Sequence, residues 1–542
     1  MGKGSTYPDL HGSVGILFEQ ASSRGHVQKN QDGILRFHDT IANHFSTSLS
    51  SLRATSAMRT ELINFKKGFY KRSLEIAKKQ KHQTHIFQSG GNRSRLKEFA
   101  QTLKLHDIQV YWLKEDIEYG DQKFLADDAI VVPADQPEHI FLRSLLNRQT
   151  DFKENIFYDV SSWTLPLAYG LTHSKITQKI EADKLVAFKA SAKEKTDPIE
   201  FSPDDVTYLI NFRDDQATRA LSQLFAAGVS VRVAKKPFTV KLDDEDMAFE
   251  AGTLSVVLGT QKKKQKTIER ILSHHNSLGA KISPVKSGLS VAGPDIGSSN
   301  FPVIEPRKVA MLIGRQASAY GAGEVWHLFD TKVSMPITML KADSFNRADL
   351  SKYTTLVLPD GRLDSDHWSK INSFADQGGT VIAIGRVARS VQAKLTNQSA
   401  GSSANESSGS SIQKPFDSAA TTRALKLISG AIFKTKIDTT HPLLYGLPKR
   451  DLPVFRTHAS FLVPSPNPYC NPVIYDSESP LMAGYCSKEN VERFKGSASV
   501  VVHPSGKGQF ILMADNPNFR GFWKATSRVF LNAVFFGDLV KP

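Results

Sequence analysis

Hydrophobic residues fall in short blocks along the whole chain, and the spacing inside each block predicts its element. After a turn containing Pro8, Asp9 and Gly12, the apolar run 14–18 has the length of a buried strand. Period two places Val14, Ile16 and Phe18 on one face and Gly15, Leu17 and Glu19 on the other. Asp32 is placed to cap a helix in which Ile34, Phe37, Ile41, Phe45, Leu49 and Leu52 form one apolar stripe. A second helix carries Leu62, Phe65, Phe69 and Ile76 at similar spacing. His38 and His44 lie on different faces of the first helix, so they cannot form a His-Glu-x-x-His metal site and read as surface residues.

Strand and helix then alternate. The pattern predicts strands over 84–87, 110–113 and 129–132, with a helix over 93–104 that turns Leu96, Phe99 and Leu103 inward. The turn 88–92, Gln-Ser-Gly-Gly-Asn, has the means to cradle an anion but is too short for a dinucleotide fingerprint, and it reads as a plain β–α connection. Residues 181–303 repeat this theme more loosely, with strands over 206–210, 229–233 and 252–258 and a helix over 216–227. Asp243-Asp244-Glu245-Asp246 lacks the glycine and distal glutamate of an EF-hand loop and reads as a solvated turn. Near Pro306 a new unit begins, with strands over 309–314, 356–361 and 380–385 and a helix over 364–377. A late strand over 509–513 and an amphipathic helix over 522–536, with Trp523, Val529 and Phe530 in its core, close the chain. The Ser-, Gly- and Asn-rich tract 396–413 has little to bury and reads as a disordered insertion. The expectation is an α/β protein of several mixed or parallel sheets with flanking helices, the last domain doubly wound. The divisions fall at 1–80, 81–180, 181–303 and 304–542.

Charge narrows the partners. A net charge of +15 over 542 residues permits weak attraction to anionic polymers or membrane surfaces. The basic runs, such as Lys262-Lys263-Lys264, look like loops and helix ends without interleaved aromatics, which argues against nucleic acid. No apolar run reaches membrane-spanning length, and residues 1–6 lack the apolar core of a signal peptide. Cys470 and Cys486 flank an expected hairpin, so a disulfide and two free thiols both stay open; their surroundings lack zinc-ligand spacing.

Glu19 is the candidate catalytic residue. A carboxylate on a buried strand must be paired, bound to a cation or raised in pKa, whereas one at a strand end in water needs none of these. The stretch from Gly12 to Ser22 resembles the last catalytic strand of large bacterial zinc carboxypeptidases, the carboxypeptidase A-like metallopeptidases. The resemblance extends through 159–168 and 517–523. It implies that Glu19 promotes attack of a zinc-bound water on a C-terminal peptide bond. That family's zinc ligands, a His-x-x-Glu pair and a later His, lie well upstream of this glutamate. Here eighteen residues precede Glu19, and His11 is the only histidine among them.

The resemblance therefore implies the C-terminal portion of a metallocarboxypeptidase, inactive alone. Zinc and a peptide or protein substrate belong to the complete enzyme, whose metal ligands lie upstream, either on a separate polypeptide or ahead of a misplaced start, and the parent is periplasmic or secreted. Residues 304–542 resemble a class I glutamine amidotransferase-like domain. Its turn Ile384-Gly385-Arg386-Val387 has no nucleophilic Cys, so the resemblance implies the fold and argues against the activity. The alternative expectation is a non-catalytic binding or scaffold protein.

Overall fold

The computed structural model describes residues 6–157, 159–189, 197–396 and 415–541. Its N-terminal stretch departs from the pattern. Residues 14–23 form neither helix nor strand up to a bend at Arg24, and Val14, Ile16, Leu17 and Phe18 are each more than 50% exposed. The expected buried strand is corrected: an isolated apolar run has no neighbouring strand to take up its N–H and C=O groups. A hairpin of β1 (Val27–Asn30) and β2 (Gly33–Arg36) follows, so Asp32 sits in its turn and caps no helix. Next come α1 (Phe37–Ala57) and α2 (Arg59–Lys78). Hydrogen bonds run on through Met58, which donates to the Ala54 carbonyl and accepts from the Leu62 N–H. Phe37, Ile41, Phe45 and Leu52 keep helical spacing but face solvent. Only the end of α2 docks, through Phe69, Ser73 and Ala77.

The next two blocks build one topology twice. The first contains β3 (Thr84–Gln88), α3 (Arg93–Lys104), β4 (Tyr111–Leu113), a hairpin of β5 (Ile117–Tyr119) and β6 (Gln122–Phe124), and β7 (Ala129–Pro133). It continues with α4 (His139–Leu146), the single turn α5 (Leu165–Ala168), β8 (Thr172–Ile176) and β9 (Leu185–Ala187). Its sheet runs β8-β3-β7-β4-β9, every pair antiparallel. The second contains β10 (Thr207–Ile210), α6 (Asp215–Ala226), β11 (Val231–Val233), a hairpin of β12 (Phe238–Leu242) and β13 (Glu245–Phe249), and β14 (Leu254–Val257). It ends with α7 (Gln265–Asn276), β15 (Ile282–Val285) and β16 (Val303–Ile304). Its order, β15-β10-β14-β11-β16, is the first sheet's order element for element, again all antiparallel.

Each block is a split β-α-β unit of the ferredoxin-like kind, in which an antiparallel strand separates two parallel ones. Both carry the same inserted hairpin and the same fifth edge strand. The loose repetition along the sequence is thus a repeated fold. Leu96, Phe99 and Leu103 of α3, and Ala217, Leu221 and Leu224 of α6, are fully buried, as their period requires. Asp243 and Asp244 form the exposed turn of the β12/β13 hairpin.

The third sheet takes β17 (Val309–Ile313), α8 (Ala319–His327) with its π-helical extension Leu328–Val333, β18 (Thr338–Lys341), β19 (Thr355–Leu358), α9 (Ser365–Asp376), β20 (Thr380–Ile384) and α10 (Arg386–Leu395). It resumes with α11 (Ala419–Lys426), β21 (Ala431–Ile437), β22 (Asp451–Arg456), β23 (Val473–Tyr475), β24 (Leu481–Ala483), α12 (Lys488–Phe494), β25 (Ala498–Ser505), β26 (Gly508–Met513) and α13 (Ser527–Phe536). The tract expected to be a disordered insertion lies, but for residue 396, outside the described residues. The parallel strands run β18-β17-β19-β20-β26, the 2-1-3-4-5 order of a doubly wound, amidotransferase-like fold. An antiparallel wing of β25, β23, β21 and β22 extends it.

The chain is therefore α/β, with several sheets and flanking helices. β23 and β24 both pair with β21, not with each other, so the hairpin expected between the cysteines is replaced by two separate pairings along one long strand. Cys470 and Cys486 are free and buried. The closing helix α13 is buried on every face, because it is wedged between this sheet and the second ferredoxin-like unit. Phe536 packs on Phe212 and Phe530 on Phe329. No helix of the described residues is long and apolar enough to cross a membrane.

Candidate functional site

Glu19 lies exposed in the irregular N-terminal stretch and lines none of the cavities described below. Among the described residues, no group of three or more His, Cys, Asp or Glu side chains is placed to hold a metal ion. The turn after β3 does cradle an anion, but one the protein supplies. Gly90 N–H donates to Asp128 Oδ2 at 2.8 Å, and Ser89 donates to Oδ1 through its backbone N–H and its hydroxyl.

In a doubly wound sheet, ligands bind beyond the carboxyl ends of the strands where the strand order reverses, here between β17 and β19. That crevice is closed by its own loops. Ser318 N–H donates to the Asp360 carbonyl at 2.7 Å and Arg362 N–H to the Gln316 carbonyl at 2.8 Å, and a space of only about 10 Å³ remains beside them. One strand further on, Gly385 holds φ 66°, ψ −130° on the tight turn after β20, a conformation an L side chain rarely adopts. A Cβ there would stand 2.6 Å from Asp360 Oδ1. The Asp360 carboxylate accepts from Arg386 N–H at 2.8 Å and pairs with its guanidinium at 3.0 Å. Burial, together with the neighbouring Arg456, pushes the His458 pKa down to about 4. The elbow thus carries glycine where an amidotransferase carries its nucleophile. The two thiols lie elsewhere, and burial pushes that of Cys486 up to about 12.

A wide cleft lies where the two ferredoxin-like units meet the third sheet. The first turns of α3 and α6 abut there. Asn92 Oδ1 accepts from Arg95 N–H of its own helix and from Asp215 N–H of the other, both at 3.2 Å. Asp214 accepts from Gln216 N–H at 2.8 Å and from Ser94 N–H at 2.9 Å. Each cap residue therefore serves two helices. Asp215 receives Arg95 at 2.7 Å and, from α13, Arg528 at 2.9 Å. Burial acts to raise the Asp215 carboxyl, but these two guanidinium groups hold it well below the usual carboxylate range.

Beside this knot opens a cleft of about 430 Å³. Five cations line it: Lys97, Arg219, Lys332, Lys524 and Arg528. Two carboxylates face them, and each is already shared. Asp215 serves Arg95 and Arg528, while Glu98 takes Lys332 at 2.7 Å and Lys524 at 3.4 Å. Burial lowers the Lys524 pKa despite Glu98. Arg219 Nε is buried and has no hydrogen-bond partner among the described residues. None of these residues stood out in the sequence. The one available signal was the Asp214-Asp215 pair opening a helix, which marks a cap and says nothing of a cleft.

No protein-family model matches the chain, and no curated protein does. Among solved structures, it is similar to a ThuA-like protein from Parabacteroides merdae at 12% identity, covering 44% of this chain and 93% of that one, with a TM-score of 0.28. It is also similar to a β-galactosidase from Bacillus circulans sp. alkalophilus at 12% identity, 43% and 30% coverage and a TM-score of 0.23. An exo-β-1,4-mannosidase from an Opitutaceae bacterium matches at 12% identity, 44% and 36% coverage and a TM-score of 0.22. The chain spans about a third of each glycosidase, and likenesses this weak assign no activity to it.

With the strand around Glu19 unformed and no family match, the zinc carboxypeptidase reading is corrected, and with it the expectations of proteolysis and of a peptide substrate.

Proposed function

We propose that the protein binds a small organic anion in the cleft between α3, α6 and α13. The observation that carries this reading is the charge balance there: Arg219, Lys332, Lys524 and Arg528 face two carboxylates that are each already shared by two cations, and Arg219 Nε is buried without a partner among the described residues. The volume falls within the roughly 300–1,000 Å³ of small-molecule sites. Part-buried cations interact with an incoming anion more strongly than surface ones, because less water screens them. The five cations lining the cleft come from α3, α6, the π-helical extension of α8 and the start of α13, so a bound anion would tie all three sheets together.

Calorimetry on the full chain with citrate and inorganic phosphate tests this. Saturable binding that weakens with added salt is expected. Arg219→Ala and Lys332→Ala are each expected to cost about tenfold in affinity, the worth of one charge-assisted hydrogen bond. Absence of heat from either anion at millimolar concentration, or variants that bind like the wild type, would overturn the proposal.

A further inference from the structure

A narrow recess leads off the cleft. The two share Leu328, Lys332, Lys524 and Ser527 along their walls. Two residues at the recess are almost wholly buried, Asn518 at 2% exposure and Trp523 at 1%. Their polar atoms, Asn518 Nδ2 and Oδ1 and Trp523 Nε1, have no hydrogen-bond partner among the described residues. Buried polar groups are rarely left this way, since each unpaired donor or acceptor forfeits its hydration. All three atoms, two donors and one acceptor, belong to residues that line the recess. The Asn518 backbone is fixed independently, its N–H donating to Asn516 Oδ1 at 3.0 Å and its carbonyl accepting from Gly521 N–H at 2.9 Å. The side-chain amide is thus held in place without using its own hydrogen-bonding capacity.

The recess measures about 10 Å³, room for one group the size of a water molecule. A hydroxyl has that size, and it both donates and accepts. It can give its proton to Asn518 Oδ1 while its oxygen accepts from Asn518 Nδ2 or Trp523 Nε1. A methyl group fits as well but satisfies none of the three. The recess opens beside Lys332 and Lys524, so a hydroxyl placed in it belongs to a molecule whose anionic group lies among the cations.

We infer that the ligand of the cleft is a hydroxylated organic anion, such as a sugar acid or a sugar phosphate, whose acidic group meets the cations and whose hydroxyl enters the Asn518–Trp523 recess. This rests on the anion-binding reading above and narrows it. A site built to pair a hydroxyl discriminates against the analogue that lacks one, because that analogue leaves the site's polar atoms unpaired.

The test is a calorimetric comparison on the full chain of gluconate with hexanoate, a carboxylate of equal charge and carbon number without hydroxyls, and of glucose 6-phosphate with inorganic phosphate. Gluconate is expected to bind at least about tenfold more tightly than hexanoate. The stronger of gluconate and glucose 6-phosphate identifies the acidic group. Asn518→Leu is expected to bring the gluconate-to-hexanoate ratio close to one, and the near-isosteric Asn518→Asp to reduce it. The wild-type ratio decides the matter even if neither variant folds. A wild-type ratio near one, with hexanoate bound, overturns the hydroxyl assignment and leaves the anion-binding cleft standing. Binding of none of the four compounds overturns both.

Discussion

Asn92 and Asp214 cap each other's helices. Asn92 Oδ1 accepts from the first turns of α3 and α6 alike, and Asp214 does the same in return. A helix cap ordinarily contributes about 1 kcal/mol. Asn92→Ala removes an acceptor from two helix starts and is predicted to cost about 2 kcal/mol in chemical denaturation. Because the two caps share partners, the double variant with Asp214→Ala is predicted to be non-additive by at least about 0.5 kcal/mol. Strict additivity would show that the caps act separately.

The elbow glycine gives a second prediction. Gly385→Ala places a Cβ against Asp360 Oδ1 in a backbone conformation costly for any L residue. The predicted loss is about 2 kcal/mol or more. Combining it with Asp360→Ala removes the obstructing carboxylate and is predicted to return part of that loss but not the backbone term. A Gly385→Ala protein that melts like the wild type would show that the turn is not held as described.

Deep in the third sheet, Arg456 is fully buried, its guanidinium stacked 4.3 Å from the Phe494 ring centre and 5.0 Å from that of Tyr475. Its Nε donates to Asp515 at 2.8 Å, and Asp515 also accepts from Ser499 at 2.7 Å and from the Tyr475 hydroxyl. Asp515→Ala strands a buried charge and is predicted to destabilise by about 3–5 kcal/mol. Replacing both partners, Arg456→Met with Asp515→Ala, is predicted to be milder than the single change. The reverse order, measured by urea unfolding, would refute the pairing.

The acid limb of stability tests Asp215. Its folded pKa is depressed, so its contribution is present above the ordinary carboxylate pKa of about 3.9 and is lost as pH falls through and below that value. Its side chain is 38% exposed, so solvent screening tempers the size of the effect. The predicted observation is a slope of unfolding free energy against pH, between about pH 4 and 2, that is shallower in Asp215→Asn than in the wild type, by at most one proton. An unchanged slope would mean that Arg95 and Arg528 do not hold this carboxylate ionised.

Much of the fold was legible because it is written locally. The helix over 93–104 and the strands of the doubly wound sheet follow from the spacing of apolar residues, which burial enforces position by position. What misled was the same signal without its context. Val14–Phe18 alternates like a strand and Ile41–Leu52 repeats like a buried helix face, yet both are exposed, since no neighbouring element covers them. The repeated ferredoxin-like topology was only glimpsed, because the order of strands in a sheet is set by pairings far apart in the chain. The cleft was invisible for a related reason. Lys97, Arg219, Lys332 and Lys524 are separated by more than a hundred residues at each step, and each looks like an ordinary surface cation until the sheets bring them together.

The carboxylate of Asp128, resting on the Ser89–Gly90 turn, has a bearing on free anions. Tethered to the same chain, it acts as a permanent competitor whose effective concentration is on the order of millimolar or higher. A free phosphate must displace it before reaching those N–H groups. The short glycine turn is therefore occupied from within, and an anion the protein meets is left to the cations of the cleft.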